Sequence, residues 1–173
     1  LVASHVDMEM HMLDIVQRYS VGDLSVDMER LPGEKARITE AVDAVKTNTQ
    51  SVTAQIKRLV DATVAGDFSQ RGDAERFEFV YRDMVLGLNE LMETADHGLN
   101  EIGDLMTAVA EGELNQRADT SLPGHFGRLA SDANLTVDRL SEIVGQIRQG
   151  SDEISSAASE IAAGNDDLSR RTE

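Results

Sequence analysis

The sequence predicts an all-α fold, an elongated parallel dimeric coiled coil of stacked four-helix bundles with connectors, and three observations carry that prediction. A helix-like stretch runs three times into a glycine followed by an acid and a large apolar residue, at Gly22-Asp23-Leu24, Gly66-Asp67-Phe68 and Gly112-Glu113-Leu114. Between these motifs the apolar residues recur in alternating steps of three and four, the repeat that keeps one seam facing a partner helix. Aromatic residues make up 3% of the chain and Trp is absent, which is thin material for a compact globule but ample for helix seams of Val, Ile, Leu, Ala and Met.

The three glycines lie 44 and 46 residues apart, the length of one supersecondary unit stacked on copies of itself. The first helix carries Met8, Met12, Ile15 and Tyr19 on one stripe and stops at Gly22, because a helix C-terminus favours a left-handed residue. Its connector contains Leu31-Pro32-Gly33, and the same tripeptide returns as Leu122-Pro123-Gly124 after the third glycine; these hold the 2 prolines of the chain. The second helix runs its seam from Ile38 through Val42, Val45, Thr49, Val52, Ile56 and Leu59 to Thr63. The third runs from Met84 through Leu88, Leu91, Ala95, Gly98, Ile102 and Leu105 to Val109. The last runs from Ala130 through Ala133, Val137, Leu140, Val144, Ile147, Ser151, Ile154, Ala158, Ile161 and Asn165 to Leu168.

Apolar stripes of this length are not stable on lone helices in water, since packing of the amphipathic face supplies most helical stability. Each helix therefore needs neighbours, some from the same chain and the rest from a second copy in a parallel homodimer. The 4 phenylalanines, Phe68, Phe77, Phe79 and Phe126, fall in the connectors or at their ends. Connectors this apolar must pack: Leu24, Phe68 and Leu114 against the bundle would return the chain to its starting end, so that the flanking helices run parallel.

The formal net charge of −16 argues against nucleic-acid binding and against anionic membrane surfaces, which would repel the chain. With no cysteine there is neither a disulfide framework nor a thiolate metal site. No apolar run approaches the roughly 20 residues a membrane span needs, so this stretch is expected to make no direct membrane contact. It begins with Leu1 and stops at Glu173 inside a helical pattern, which reads as a fragment of a longer protein.

With these residues in place, the repeats resemble HAMP domains: a first helix, a Gly-acid-Leu/Phe exit, a connector and a second helix, paired as a homodimeric four-helix bundle. The tail, Ala157-Ala158-Ser159-Glu160-Ile161-Ala162-Ala163-Gly164-Asn165-Asp166-Asp167-Leu168-Ser169-Arg170-Arg171-Thr172-Glu173, is similar to the segment of bacterial methyl-accepting chemotaxis proteins that enters the methylation helix. The resemblance implies a divergent HAMP-like repeat over 1–52, a HAMP-like repeat over 53–97, a HAMP domain over 98–145 and the start of the methyl-accepting signalling coiled coil over 146–173. It departs from the family pattern in lacking a proline before any glycine motif. His125-Phe126-Gly127 and Phe79-Val80-Tyr81 stand where Glu-apolar-Gly is usual.

The resemblance implies a signal relay in a bacterial chemotaxis receptor, passing conformational input through tandem HAMP bundles to a kinase-control coiled coil. The location implied is the cytoplasmic part of an inner-membrane receptor. The partners implied are a second copy of the chain and, through segments absent from it, the chemotaxis histidine kinase and its coupling protein. The methylated pair would lie just past Glu173, so no methylation site is assigned. Connector packing is expected from Gly22, Leu24, Gly66, Phe68, Gly112 and Leu114, and the bundle seam from Leu88, Leu91, Ile102, Val109, Val137, Leu140 and Ile147. The competing readings are a passive dimeric coiled-coil spacer and the same module in a sensor histidine kinase or cyclase.

Site chemistry is sparse. Met8, Met10 and Met12 with His5 and His11 invite a soft-metal reading, but Met8 and Met12 continue the helical stripe and are better read as packing. His5 lies in His5-Val6-Asp7, without the acid and proline context of a phospho-accepting histidine. Carboxylate pairs such as Glu90 with Glu93, or Asp166 with Asp167, read as solvated helix faces, and no phosphate-binding loop occurs. No catalytic residue, cofactor or metal site is assigned, and the chain is not expected to be an enzyme. Thr49, Thr63, Gly98, Ser151 and Asn165 sit where Leu or Val would pack better, and Gly145, Gly150 and Gly164 each cost about 1 kcal/mol relative to Ala. Such weak layers are either tolerated imperfections or the means by which two packings stay close in energy.

Overall fold

The structure is a computed structural model that describes the backbone of residues 2–172, and their side chains except at 2–5, 7, 167, 169, 171 and 172. The side chain of His5 and the last residues of the tail motif thus lie outside the described residues. Four α-helices follow in order: α1 Val2–Ser20, α2 Ala36–Val64, α3 Phe79–Ala110 and α4 Gly124–Thr172. Short 3₁₀ turns, Gly33–Lys35 and Ala74–Arg76, interrupt the first two connectors, and the described residues contain no strand. At 49 residues, α4 is about 74 Å long.

The chain divides into two compact units, the first up to Asp96 and the second from His97 onward. In the first unit one core gathers Val52 of α2, Ala74 and Phe77 of the second connector and Val85 of α3, with Ile56 and Tyr81 against it. In the second unit the corresponding core joins Leu105 of α3, Ala118 of the third connector, and Ala130 and Val137 of α4, with Ile102, Val109, Leu114 and Ala133 around it. Each core thus holds a helix, the connector after it and the next helix. Full burial of side chains such as these contributes about 1.5–3 kcal/mol apiece for the larger ones.

The 29-residue α2 belongs to two repeats at once. Thr39, near its start, is buried with the first connector, and Val52 and Leu59, in its second half, are buried with the second connector and α3. Beyond Ser141 the residues of α4 whose burial is described are exposed except for Gly150. Val144, Ile147, Ile154, Ile161 and Leu168 form an exposed apolar stripe on it.

Candidate functional site

The feature built three times over is the docking of a connector between two helices. Each helix exit uses the predicted glycine in a left-handed backbone, with φ of 87° at Gly22, 79° at Gly66 and 84° at Gly112. The glycine N–H donates to the carbonyl three residues back and the next N–H to the carbonyl five back. The distances are 3.0 and 2.9 Å for Gly22 to Tyr19 and Asp23 to Arg18, and 3.0 and 2.9 Å for Gly66 to Thr63 and Asp67 to Ala62. For Gly112 to Val109 and Glu113 to Ala108 they are 3.1 and 2.8 Å. These bonds satisfy carbonyls that the helix end would otherwise leave without partners.

After the first two exits the aspartate turns the chain. Asp23 Oδ1 accepts from Ser25 N–H at 3.1 Å and Ser25 Oγ at 2.6 Å, and Asp67 Oδ1 accepts from Ser69 N–H at 3.0 Å and Ser69 Oγ at 2.6 Å. The Ser25 donors, helped by the Arg18 guanidinium, lower the Asp23 carboxyl to about 2, and Ser69 with Gln70 lowers that of Asp67. The third repeat has Glu113 at this point and makes its turn later, where Ser121 donates to Asp119 and lowers that carboxyl.

Behind the turns lies a layered core at matching positions. Seven residues before each glycine, Ile15, Leu59 and Leu105 are buried. On the following helix the deepest residues are Thr39, Val85 and Ala130, all at 1% exposure or less. Six residues before each of these the backbone is again left-handed, with φ of 63° at Gly33, 49° at Phe79 and 59° at Gly124. Glycine supplies this conformation in the Leu-Pro-Gly tripeptides, whereas Phe79 adopts it against its side chain, at a cost of about 1–2 kcal/mol.

Four residues before the deepest position, a long side chain crosses to the preceding helix. Tyr81 Oη lies 3.2 Å from Thr49 Oγ1. The Phe126 ring fills the space at Gly98, where any Cβ would overlap it. In the first repeat Lys35 Nζ approaches Met8 Sδ at 3.8 Å. Gly98 is therefore the socket for a ring rather than a loosely packed seam position.

The middle of each connector is fixed at the residue six past the glycine. In the second repeat Gly72 N–H donates to Asn89 Oδ1 at 2.6 Å, and Asn89 Nδ2 donates back to the Gly72 carbonyl at 2.9 Å. In the third, Ala118 and Asn134 repeat both bonds at 2.9 Å each. Gly72 has no room for a side chain, since a Cβ would stand 2.6 Å from Val85 Cγ1; the third repeat instead sets Ala118 beside the smaller Ala130. Arginines brace both connectors: Arg71 donates to the Phe68 carbonyl at 2.6 Å and Arg117 to the Leu114 carbonyl at 3.0 Å. Arg71 also reaches Asp96 at 3.9 Å, and Arg117 reaches Asp138 at 2.5 Å.

The first repeat replaces this arrangement with polar and charged groups. Met28 is the buried residue at the connector position, and Thr39 Oγ1 accepts from Leu31 N–H and donates to the Glu29 carbonyl, each at 3.3 Å. Asp43 stands where Asn89 and Asn134 stand, and pairs with Arg30 of the connector. Lys46 stands where Met92 and Val137 are buried, and its ammonium donates to the Val26 carbonyl at 2.9 Å and to Asp27 Oδ1 at 2.7 Å. That pairing raises the Lys46 pKa and lowers that of Asp27.

Of the connector residues expected from the sequence, Leu24, Phe68 and Leu114 are half-buried, while Met28, Ala74, Phe77 and Ala118 are buried more deeply. Of the seam residues, Val137 is fully buried, Leu88, Ile102 and Val109 are half-buried, and Leu91, Leu140 and Ile147 are exposed. On α3 the chain buries Val85 and Met92, one residue along from the exposed Met84 and Leu91. That helix therefore carries two adjacent apolar columns, one spent within the chain and one facing outward. Asn89 and Asn134 were not singled out by the sequence; the available signal was an asparagine four residues after each deepest core position.

Residues 8–50 match the family described as HAMP N-terminal domain 3, and residues 76–151 match the HAMP domain. The chain is also 41% identical over 112 residues to methyl-accepting chemotaxis protein McpB of Pseudomonas aeruginosa, a match covering 65% of this chain and 16% of that relative. The first family match takes in α1, its connector and the first half of α2, and the second takes in α3, the third connector and the start of α4.

Proposed function

For a chain that is methyl-accepting-chemotaxis-protein-like and carries HAMP domains, we propose a conformational relay within a chemoreceptor, passing input through successive connector-bearing repeats to a kinase-control coiled coil. The observation that carries this reading is the sharing of α2 between two repeats. A rotation or tilt imposed on its first half by the first connector reaches the second without an intervening flexible joint, because packed helices switch between discrete arrangements rather than deforming continuously. The protein acts as a parallel homodimer in this reading, the exposed columns of α3 and α4 facing the second copy. The four divisions 1–52, 53–97, 98–145 and 146–173 are its working parts. The kinase and coupling protein are engaged through segments outside this chain, and the setting is the cytoplasmic side of an inner membrane. Among the described residues no helix is long and apolar enough to cross a membrane.

The test is Ser151→Leu in the full-length receptor. Ser151 is exposed on α4 and lies in its apolar stripe, so leucine there stabilises one dimer packing. Kinase output locked in one state, with the dimer intact, supports a relay. An unchanged response amplitude and sensitivity would leave a passive spacer as the better description.

A further inference from the structure

The three repeats fasten the middle of their connectors by two different chemistries. In the second and third, one neutral amide meets both polar groups of one connector residue: Asn89 on Gly72 and Asn134 on Ala118. In the first, Asp43 stands at the asparagine position and pairs with Arg30 of the connector, Lys46, three residues on, pairs with Asp27 and the Val26 carbonyl, and Thr39 supplies longer bonds to Glu29 and Leu31. We propose that these side chains are the positioning residues of the connectors, and that ion pairing in place of an asparagine clamp makes docking of the first connector respond to ionic strength while the other two stay fixed.

The physics follows from exposure. Arg30 and Asp27 are open to solvent on their side of each pair, at 77% and 84% side-chain exposure, so mobile ions reach them. The screening length shrinks from about 10 Å at 0.1 M salt to about 3 Å at 1 M. A half-buried amide bonded to a backbone N–H and C=O carries no net charge to screen. The arginine pairs of the later repeats, Arg71 with Asp96, Arg82 with Glu75 and Arg117 with Asp138, also weaken in salt. They brace residues on either side of the clamp rather than the clamped residue itself, so Gly72 and Ala118 keep their asparagine partners. The relay reading gives this difference a use, because an entry repeat that loosens with salt shifts the working point of everything after it, but the structural claim stands without that reading.

Residue-resolved amide hydrogen exchange on the 173-residue chain tests the inference directly, with no signalling readout. The probes are Leu31, Gly72 and Ala118, whose N–H groups donate to Thr39, Asn89 and Asn134. Between 0.05 and 1 M NaCl, exchange at Leu31 is expected to rise about two- to fivefold, the size that exposed ion pairs support, with little change at Gly72 and Ala118. Lys46→Met, which installs the residue type of Met92, should at least halve the Leu31 response. Asn134→Leu should speed exchange at Ala118 about tenfold at both salt concentrations, with helix content unchanged by circular dichroism. Equal salt responses at all three amides, or none at Leu31, would overturn the proposal, as would an unaltered Ala118 in Asn134→Leu.

Discussion

Gly72→Ala is the sharpest test of how connector and helix fit together. The backbone at Gly72 is not left-handed, so alanine meets no torsional objection there, and by chain entropy alone the substitution should stabilise by about 0.4–1 kcal/mol. The new Cβ, however, falls 2.6 Å from Val85 Cγ1, and Val85 is at 0% exposure with nowhere to retreat. Overpacking of this kind costs about 1–3 kcal/mol, leaving a net loss of about 1–2 kcal/mol. Val85→Ala alone removes buried methyl groups and opens a void, at a cost of about 1–3 kcal/mol. Combined, the two changes reproduce the alanine pair of the third repeat, and the methyl added at position 72 occupies part of the void. The double variant should therefore lose about 1.5 kcal/mol or more less than the sum of the single changes, a coupling well above the usual scatter for independent sites. Urea unfolding followed by circular dichroism at one fixed protein concentration measures all four corners of the cycle. Additivity within about 0.5 kcal/mol, or a stabilised Gly72→Ala, would refute the fit described for this connector.

Phe79→Gly should raise stability by about 0.5–1 kcal/mol in a thermal melt, because relief of left-handed strain exceeds the entropy cost of glycine and the ring is 83% exposed. Phe77→Ala should cost about 3–5 kcal/mol, against a clearly smaller loss for the half-buried Phe68→Ala, as read from denaturant midpoints. The Asp23 carboxyl is held at about 2 against an ordinary 3.8, so its stabilisation is complete above the ordinary value and lost as pH falls through the lowered one. Docking of the first connector should then hold from pH 7 to about 5 and weaken between about 4 and 2, with Asp23→Asn flattening that acid limb in an exchange titration. Single cysteines at Leu88 and Leu140 should crosslink between copies much faster than one at Glu90, and equal rates would remove the case for the parallel homodimer.

Much of this arrangement is legible in the sequence because it rests on local chemistry. The glycine exits announce themselves through the acid and apolar residue that follow, and the Leu-Pro-Gly entries show as a repeated tripeptide. What periodicity does not decide is which of two neighbouring columns is spent inside the chain. Leu91 and Met92 are both apolar, and only the docked connector selects Met92. The asparagine clamps reach connector residues 16 and 17 positions back, too far for any local pattern. Gly98 misleads in isolation, since an empty position and a socket for Phe126 look alike until the ring is seen in place. The strain at Phe79 becomes readable only after the three repeats are aligned on Thr39, Val85 and Ala130, which puts a phenylalanine where the other two have glycine.

The sharing of α2 also sets a rule of phase. Thr39 and Leu59, the deepest residues it gives to its two repeats, are 20 residues apart, and Val85 and Leu105 in α3 keep the same interval. Twenty steps of about 100° carry the helix through five full turns and about 200° more, so the two buried residues of α2 point to nearly opposite sides of its axis, about 30 Å apart. A one-residue deletion between them would swing one face by about 100° relative to the other. Removing seven would shorten the rod by about 10.5 Å yet disturb the angle by only about 20°. Length and angle are thus separate quantities along this helix: steps of seven, eleven or eighteen residues change the first and nearly keep the second, whereas a step of one residue does the reverse.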